Sequence, residues 1–227
     1  MSKIHIAIAF IAGIGFFAVI IFWPAGTIVW LDGWLYLGIV TAYQIITVIY
    51  LTQVNPDLIE YRLKFMGISK GTKQWDKIWL SIFAPIFFAI YIIAGFDAVR
   101  FDWTDMSPWF WFPGLVLFIP ASVLFSWSMG VNPFFEKTVR IQTERGHHVI
   151  DTGPYRFVRH PGYVGFFGWC LSAPLILGSW WAFIPAILSV LAIVIRTSLE
   201  DRTLCNELVG YKEYMSRVNY KLIPGIW

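Results

Sequence analysis

The sequence predicts an all-α fold: a polytopic membrane helical bundle of about six transmembrane helices, the last two a C-terminal helical hairpin, followed by a cytoplasmic amphipathic tail. Three observations carry this. Of 227 residues, 58% are hydrophobic and only 14% charged, a balance that cannot clothe a water-soluble surface and is the reverse of what disorder requires. Apolar runs of about 20 residues, the length that crosses about 30 Å of hydrocarbon as helix, recur along the chain. The basic residues fall almost entirely on alternate connecting segments.

The first run, at about residues 4–23, begins after Lys3 and reaches Trp23-Pro24 without a small-residue cleavage site, so it reads as an uncleaved helix. Runs at about 33–52, 77–95 and 108–131 read as three further spans. The stretch 161–197 is too long for one crossing and breaks at Leu177-Gly178-Ser179-Trp180, which predicts a tight hairpin. Leu204, Leu208, Tyr211 and Met215 then recur at helical spacing with Glu207, Lys212, Glu213 and Arg217 between them. That pattern predicts an amphipathic helix lying on the membrane or folding over a site. The end, Tyr220 to Trp227, is too apolar to hang free. With no internal repeat or linker, residues 1–227 read as a single membrane domain, transmembrane helices over 1–131 and a polar-motif region over 132–227.

With the amino terminus inside, sixteen of the seventeen Lys and Arg residues lie on inner segments and only Arg100 lies outside, which predicts cytoplasmic termini. The outer loops hold Asp32, Asp97, Asp102 and Asp105 among Trp30, Trp34, Trp103, Trp109, Trp180 and Trp181, and read as interfacial anchors. Polar chemistry therefore belongs to the inner segments 53–76, 132–160 and 198–227. A formal net charge of +3 is too small to argue for nucleic acid, and the bilayer is the expected partner. Cys170 and Cys205 form neither a disulfide framework nor a metal spacing; they read as a core residue and a free thiol. His147 and His148 adjoin in a loop and His5 stands at the bilayer start, with no third ligand at metal spacing, so no metal site is expected. Phosphate-binding, dinucleotide-binding and nucleophile-elbow motifs are absent from the sequence.

The densest polar cluster runs from Gly153 to Tyr163, just before an apolar helix. Pro161 suits a first helical turn and biases His160 toward a cap-like conformation. Free backbone N–H groups and the helix dipole, beside Arg156 and Arg159, predict an anion site, unless these arginines only meet lipid head groups. Gly162, Gly165 and Gly168 leave a strip without side chains, more suited to helix packing than to a flat ligand. Arg196 and Glu200, four apart, are neighbours on a helix, and the arginine is expected to hold the carboxylate. Asp201 turns away by roughly 100° and reads equally as a solvated helix end or a functional acid.

Taken in order, Gly-Pro-Tyr-Arg-Phe-Val-Arg-His-Pro-Gly-Tyr, the hairpin, Arg196-x-x-x-Glu200-Asp201, Gly-Tyr-x-x-Tyr and the final Tyr-Lys-Leu-Ile-Pro-Gly-Ile-Trp resemble the isoprenylcysteine carboxyl methyltransferase and phospholipid N-methyltransferase group of membrane enzymes. The resemblance covers about residues 132–227 and implies S-adenosylmethionine bound between the His-Pro segment and the acidic pair. It places Tyr155, Arg159, His160, Pro161, Tyr163, Glu200, Asp201, Tyr211 and Tyr214 as cofactor-binding residues, with Arg196 and Glu200 as catalytic ones. Where the family often has two glutamates, this chain has Glu200 and Asp201, which puts the share of Asp201 in doubt. The implied acceptor is lipophilic or lipid-attached: an isoprenylcysteine carboxylate, a phospholipid amine or an unrelated lipophilic thiol or acid. Two other readings stay open, an NADPH-dependent reductase of the sterol-reductase type, whose members share parts of the tail motif, and a non-catalytic membrane module.

Overall fold

The computed structural model describes residues 3–64 and 68–227, with side chains over 10–62 and 68–227. Lys3, His5 and Lys64, which the sequence places at the inner face, have side chains outside that description. All regular structure among the described residues is helical: α1 (Lys3–Ala25), α2 (Leu31–Val54), α3 (Pro56–Lys64), α4 (Gln74–Gly95), α5 (Trp111–Val131), α6 (Pro161–Leu177), α7 (Phe183–Glu207) and α8 (Tyr211–Arg217).

Four helical stretches are long and apolar enough to cross a membrane: Leu31–Val54, Gln74–Arg100, Pro108–Val131 and Phe183–Glu207. Phe10–Ala25 and Pro161–Leu177 are shorter apolar helices. Their outward faces stay apolar; Ile46, Ile82, Ile119 and Ile195 are all exposed, as lipid contact requires. The connections sort to two ends. At one end Arg100 lies over Gly26, Asp32 lies beside Gly178, and Phe110 packs edge-on to Trp180 at 5.2 Å. At the other, Lys73 Nζ pairs with Glu207 Oε2 at 2.6 Å and Arg159 with Asp201. This is the segregation that the charge pattern requires, with basic segments together at one end.

Several polar atoms inside the bundle pair between helices. Tyr36 of α2 meets Tyr91 of α4 at 3.0 Å, and Thr47 of α2 meets Ser126 of α5 at 3.0 Å. The strip of small residues serves packing: a Cβ on Gly165 would stand 2.7 Å from the Ala121 carbonyl oxygen, and one on Gly168 would meet the Ala121 Cβ. Thus α5 and α6 approach backbone to backbone.

Three local departures from expectation have physical causes. The hairpin turns at Gly178, whose φ of 71° suits glycine, but α7 runs on to Glu207, so Glu200 and Asp201 sit within a helix rather than at its end. The expected continuous helix through Leu204–Met215 is broken by Gly210, at φ 82°, and α8 packs against Ile141 and Val149 of the 132–160 loop. Asp97 is no interfacial anchor: it is fully buried in a π-helical turn, Phe96–Arg100. Its Oδ2 accepts from Ser179 Oγ at 2.6 Å and from the Trp181 N–H at 3.3 Å, clasping the hairpin turn. Of the outer tryptophans, Trp34, Trp103, Trp109, Trp180 and Trp181 are exposed and Trp30 is buried.

Candidate functional site

The basic end holds a cavity of about 540 Å³ between α4, α6, α7, α8 and the 132–160 loop, a size ordinary for small-molecule sites. Its membrane half is aromatic, with Trp79, Phe83 and Phe87 of α4, Phe125 of α5 and Phe166 of α6. Its other half carries Arg62, Lys137, Arg140, His147, Arg159, His160, Arg196 and Glu200 together with Tyr155, Tyr163, Tyr211 and Tyr214. An apolar sleeve opening onto a polar floor suits an amphiphile.

The floor is organised around Asp201. Its carboxylate accepts from Arg159 Nε at 2.8 Å and Nη2 at 3.0 Å, and from the Tyr211 hydroxyl at 2.9 Å, and lies 3.2 Å from His160 Nε2. Far from a solvated helix end, it is 4% exposed. Arg159 also donates from Nη1 to the Val218 and Asn219 carbonyls, at 2.7 and 2.9 Å. The backbone N–H groups of Arg159 and His160 donate to the Tyr220 and Lys221 carbonyls at 3.0 and 2.9 Å. The expected anion site at the start of α6 is therefore occupied by the chain's own tail and by Asp201, while Arg156 is exposed and off the cavity wall. Of the apolar tail, Leu222 is buried beneath this latch and Ile226 remains exposed.

His160 stacks on Tyr163, with ring centroids 5.8 Å apart and planes 15° from parallel, and the Tyr163 hydroxyl donates to Glu200 Oε2. That chain joins His160 to Glu200 along the cavity wall. Tyr214 donates to the Tyr155 carbonyl at 2.7 Å, and the Asn132 amide donates to the Tyr155 hydroxyl at 3.1 Å. Burial raises the Tyr155 phenol well above its ordinary range, so it stays neutral. Pro161 opens α6 behind the wall, as its type favours.

Arg196 does not clamp Glu200 as its spacing predicts. It donates from Nε to Asp76 Oδ1 at 2.9 Å and from Nη2 to the Lys137 carbonyl at 2.7 Å, and lies under the Trp79 ring at 4.6 Å. Asp76 is fully buried and also accepts from the Val139 N–H at 2.7 Å. Asp76, an acid from another helix, meets the guanidinium with both carboxylate oxygens, Oδ1 at 2.9 Å from Nε and Oδ2 at 3.3 Å from Nη2. Asp76 escaped the sequence reading, although one acid in the first turn of so apolar a helix was its signal. In the sequence Arg62, Lys137 and Arg140 read only as topology markers. Arg140 is held by Glu136 at 2.8 Å and Glu144 at 2.7 Å and donates to the Tyr61 hydroxyl. His147 and His148 pack against Phe134, with centroids 4.4 and 5.0 Å away. Burial, then His148, Arg140 and Arg145, push the His147 pKa down to about 4, against the pull of Glu144.

Comparison with known proteins places this geometry. Residues 114–206 match the sequence model of the isoprenylcysteine carboxyl methyltransferase (ICMT) family. Protein-S-isoprenylcysteine O-methyltransferase of Schizosaccharomyces pombe is 40% identical over 45 residues, 20% of this chain and 19% of that protein. The Saccharomyces cerevisiae protein of the same name is 40% identical over 43 residues, 19% of this chain and 18% of that protein. These alignments thus span about a fifth of the curated relatives' length. A solved structure of the eukaryotic intramembrane Ras methyltransferase ICMT superposes with a TM-score of 0.56 at 19% identity, covering 95% of this chain and 75% of that one. The matched segment supplies α6, most of α7 and the loop before α6, and so most of the polar floor. By its apolar helices, the sequence match over residues 114–206 and the shared fold, the chain is an ICMT-like, multi-pass integral-membrane protein.

Proposed function

We propose that this protein transfers a methyl group from S-adenosylmethionine to the carboxylate of an isoprenylcysteine-type acceptor at the inner membrane face. The observation that carries the reading is the coincidence of the family match with the cavity: residues 114–206 include the lining residues Arg159, His160, Tyr163, Arg196 and Glu200, with Asp201 behind them holding Arg159 rather than lining the cavity itself. The two curated relatives are named for O-methylation of such a group. Six crossings with both termini cytoplasmic accord with the basic residues, all but Arg100 on inner segments.

The residues fit the donor. Glu200 faces the cavity with no basic partner among the described ion pairs, and accepts only from Tyr163. It is the group free to balance an ammonium or sulfonium charge. The Tyr163 face, stacked on His160, and the neighbouring Tyr155 and Tyr211 supply aromatic surface for an adenine or a cation. When bound, S-adenosylmethionine supplies an electrophilic methyl group, which a carboxylate acceptor takes without giving up a proton. The protein then acts by position: Asp201 fixes Arg159, His160 and Tyr211, Asp76 fixes Arg196, and the aromatic sleeve excludes water and holds the apolar chain. Arg196, buried under two rings and spent on Asp76, holds the wall rather than touching the reacting atoms.

Titration calorimetry of the detergent-solubilised chain tests the donor. S-Adenosylhomocysteine should bind, and Glu200→Gln should weaken it by about tenfold to a hundredfold, the worth of a hydrogen bond to charge. A folded wild type that gives heat with NADPH and none with S-adenosylhomocysteine overturns the reading.

A further inference from the structure

Five cations line the cavity, and they are not equivalent. Arg140 is spent on Glu136 and Glu144, Arg159 on Asp201, and Arg196 on Asp76. Arg62, on α3, has no ion pair among the described residues; its guanidinium donates at 3.0 Å to the Met129 thioether, a weak acceptor, and lies 6.0 Å from the Phe135 ring centroid. Lys137 is exposed, and its ammonium makes no hydrogen bond or ion pair among the described residues. Partial burial, and then the nearby Arg62, depress its pKa, so the two charges feel each other. Glu136 attracts Arg62 without bonding it, being held by Arg140. Two neighbouring cations with no ion pair among the described residues, on the wall of a cavity with an apolar sleeve, repel each other more strongly than they would in open water. An arriving anion relieves them.

We infer that Arg62 and Lys137 form the anion subsite of this cavity and receive a carboxylate. The inference rests on the methyl-transfer reading for the identity of that group: the acceptor carboxylate, or the amino-acid carboxylate of the donor. Neither residue lies within or beside the Gly153–Tyr163 cluster, and Arg62 lies outside the segment 114–206 altogether. Acceptor choice would thus be set partly by α3, a helix apart from the sequence motifs. A carboxylate held here is an oxygen nucleophile oriented from one side, with Glu200 on another part of the same wall.

The test uses the full chain in detergent and three probes measured by calorimetry: N-acetyl-S-farnesylcysteine, its carboxamide, and S-adenosylhomocysteine. In wild type the carboxylate should bind at least about tenfold tighter than the carboxamide, and Arg62→Gln/Lys137→Met should erase that preference with S-adenosylhomocysteine affinity unchanged. Loss of S-adenosylhomocysteine affinity instead, by a similar factor and with no carboxylate preference in wild type, assigns the subsite to the donor and still upholds it. Equal affinities for all three probes in wild type and double variant overturn it. Arg62→Lys, which keeps the charge, should retain most of the preference, and Lys137→Met alone, at an exposed loop position, should lower it several-fold without unfolding the protein. Transfer of tritiated methyl separates the two claims. A wild type that transfers methyl while the double variant is unchanged in every measurement sinks the subsite alone. A wild type that prefers carboxylate but transfers nothing sinks the methyltransferase reading alone.

Discussion

The Arg159 guanidinium meets the Asp201 carboxylate side-on, through Nε and Nη2 at 2.8 and 3.0 Å, and ties the start of α6 to the last turns of α7. Both side chains are about 95% buried, 4% and 5% exposed. Removing one member leaves the other charged in a dry setting. Asp201→Asn should therefore destabilise the protein by about 3–5 kcal/mol and release the Tyr211 hydroxyl. Thermal unfolding in detergent measures it. Asp201→Glu, which keeps the charge one methylene further out, should recover part of the loss; equal melting temperatures for wild type and Asp201→Asn would contradict the arrangement.

Asp76 and Arg196 make the corresponding link between α4 and α7. Asp76→Ala should cost about 3 kcal/mol or more, since it strands Arg196 and the Val139 N–H together. Arg196→Lys should be nearly as harmful, because an ammonium cannot reproduce the bidentate contact while also reaching the Lys137 carbonyl. A double-mutant cycle on this pair, read by thermal unfolding, should return a coupling well above that of a surface pair.

The approach of α5 to α6 depends on missing side chains. Gly168→Val should destabilise by about 1–3 kcal/mol or separate the helices, because even a Cβ meets Ala121. Gly13→Ala in α1, where a Cβ has open space, is the control and should be neutral. A stable Gly168→Val protein with unchanged mobility on gel filtration would argue against the packing.

His147 gives the protein a pH dependence of known sign. Its folded pKa, about 4, lies below the ordinary 6.5, so between these values the unfolded chain binds the extra proton. Stability should be full above pH 6.5, fall as pH drops toward 4, and level off below. His147→Asn should flatten that part of the curve. Melting temperatures at pH 7.5 and 5.0 for both proteins check the prediction, and a wild type that gains stability on acidification contradicts it.

Much of this molecule was readable in the sequence because the bilayer permits so few solutions. The positions of the apolar helices, four of them long enough to cross a membrane, the turn at Gly178 and the gathering of basic segments at one end follow from apolar run length, a left-handed glycine and charge placement. His160, Tyr163 and Glu200 were legible as an ordered motif. What was not legible is pairing across helices. Spacing along α7 offers Glu200 to Arg196, but only the fold brings Asp76, a hundred and twenty positions earlier, into better geometry. Asp201 reads equally as a solvated end or a functional acid because nothing local shows that α7 runs on to Glu207 and that Arg159 covers it. Arg62 and Lys137 were invisible as a pair for the same reason: a count of cations does not tell which of them an acid will satisfy.

The most direct measurement is tritium transfer from labelled S-adenosylmethionine by purified protein, offered N-acetyl-S-farnesylcysteine in parallel with a total lipid extract. Label should enter the farnesylcysteine analogue as a base-labile methyl ester, and Glu200→Ala should abolish it while leaving the protein folded. Label confined to base-stable methylamines of the lipid extract, or absent from both pools with a folded wild type, would contradict the assignment of this cavity to carboxyl methylation.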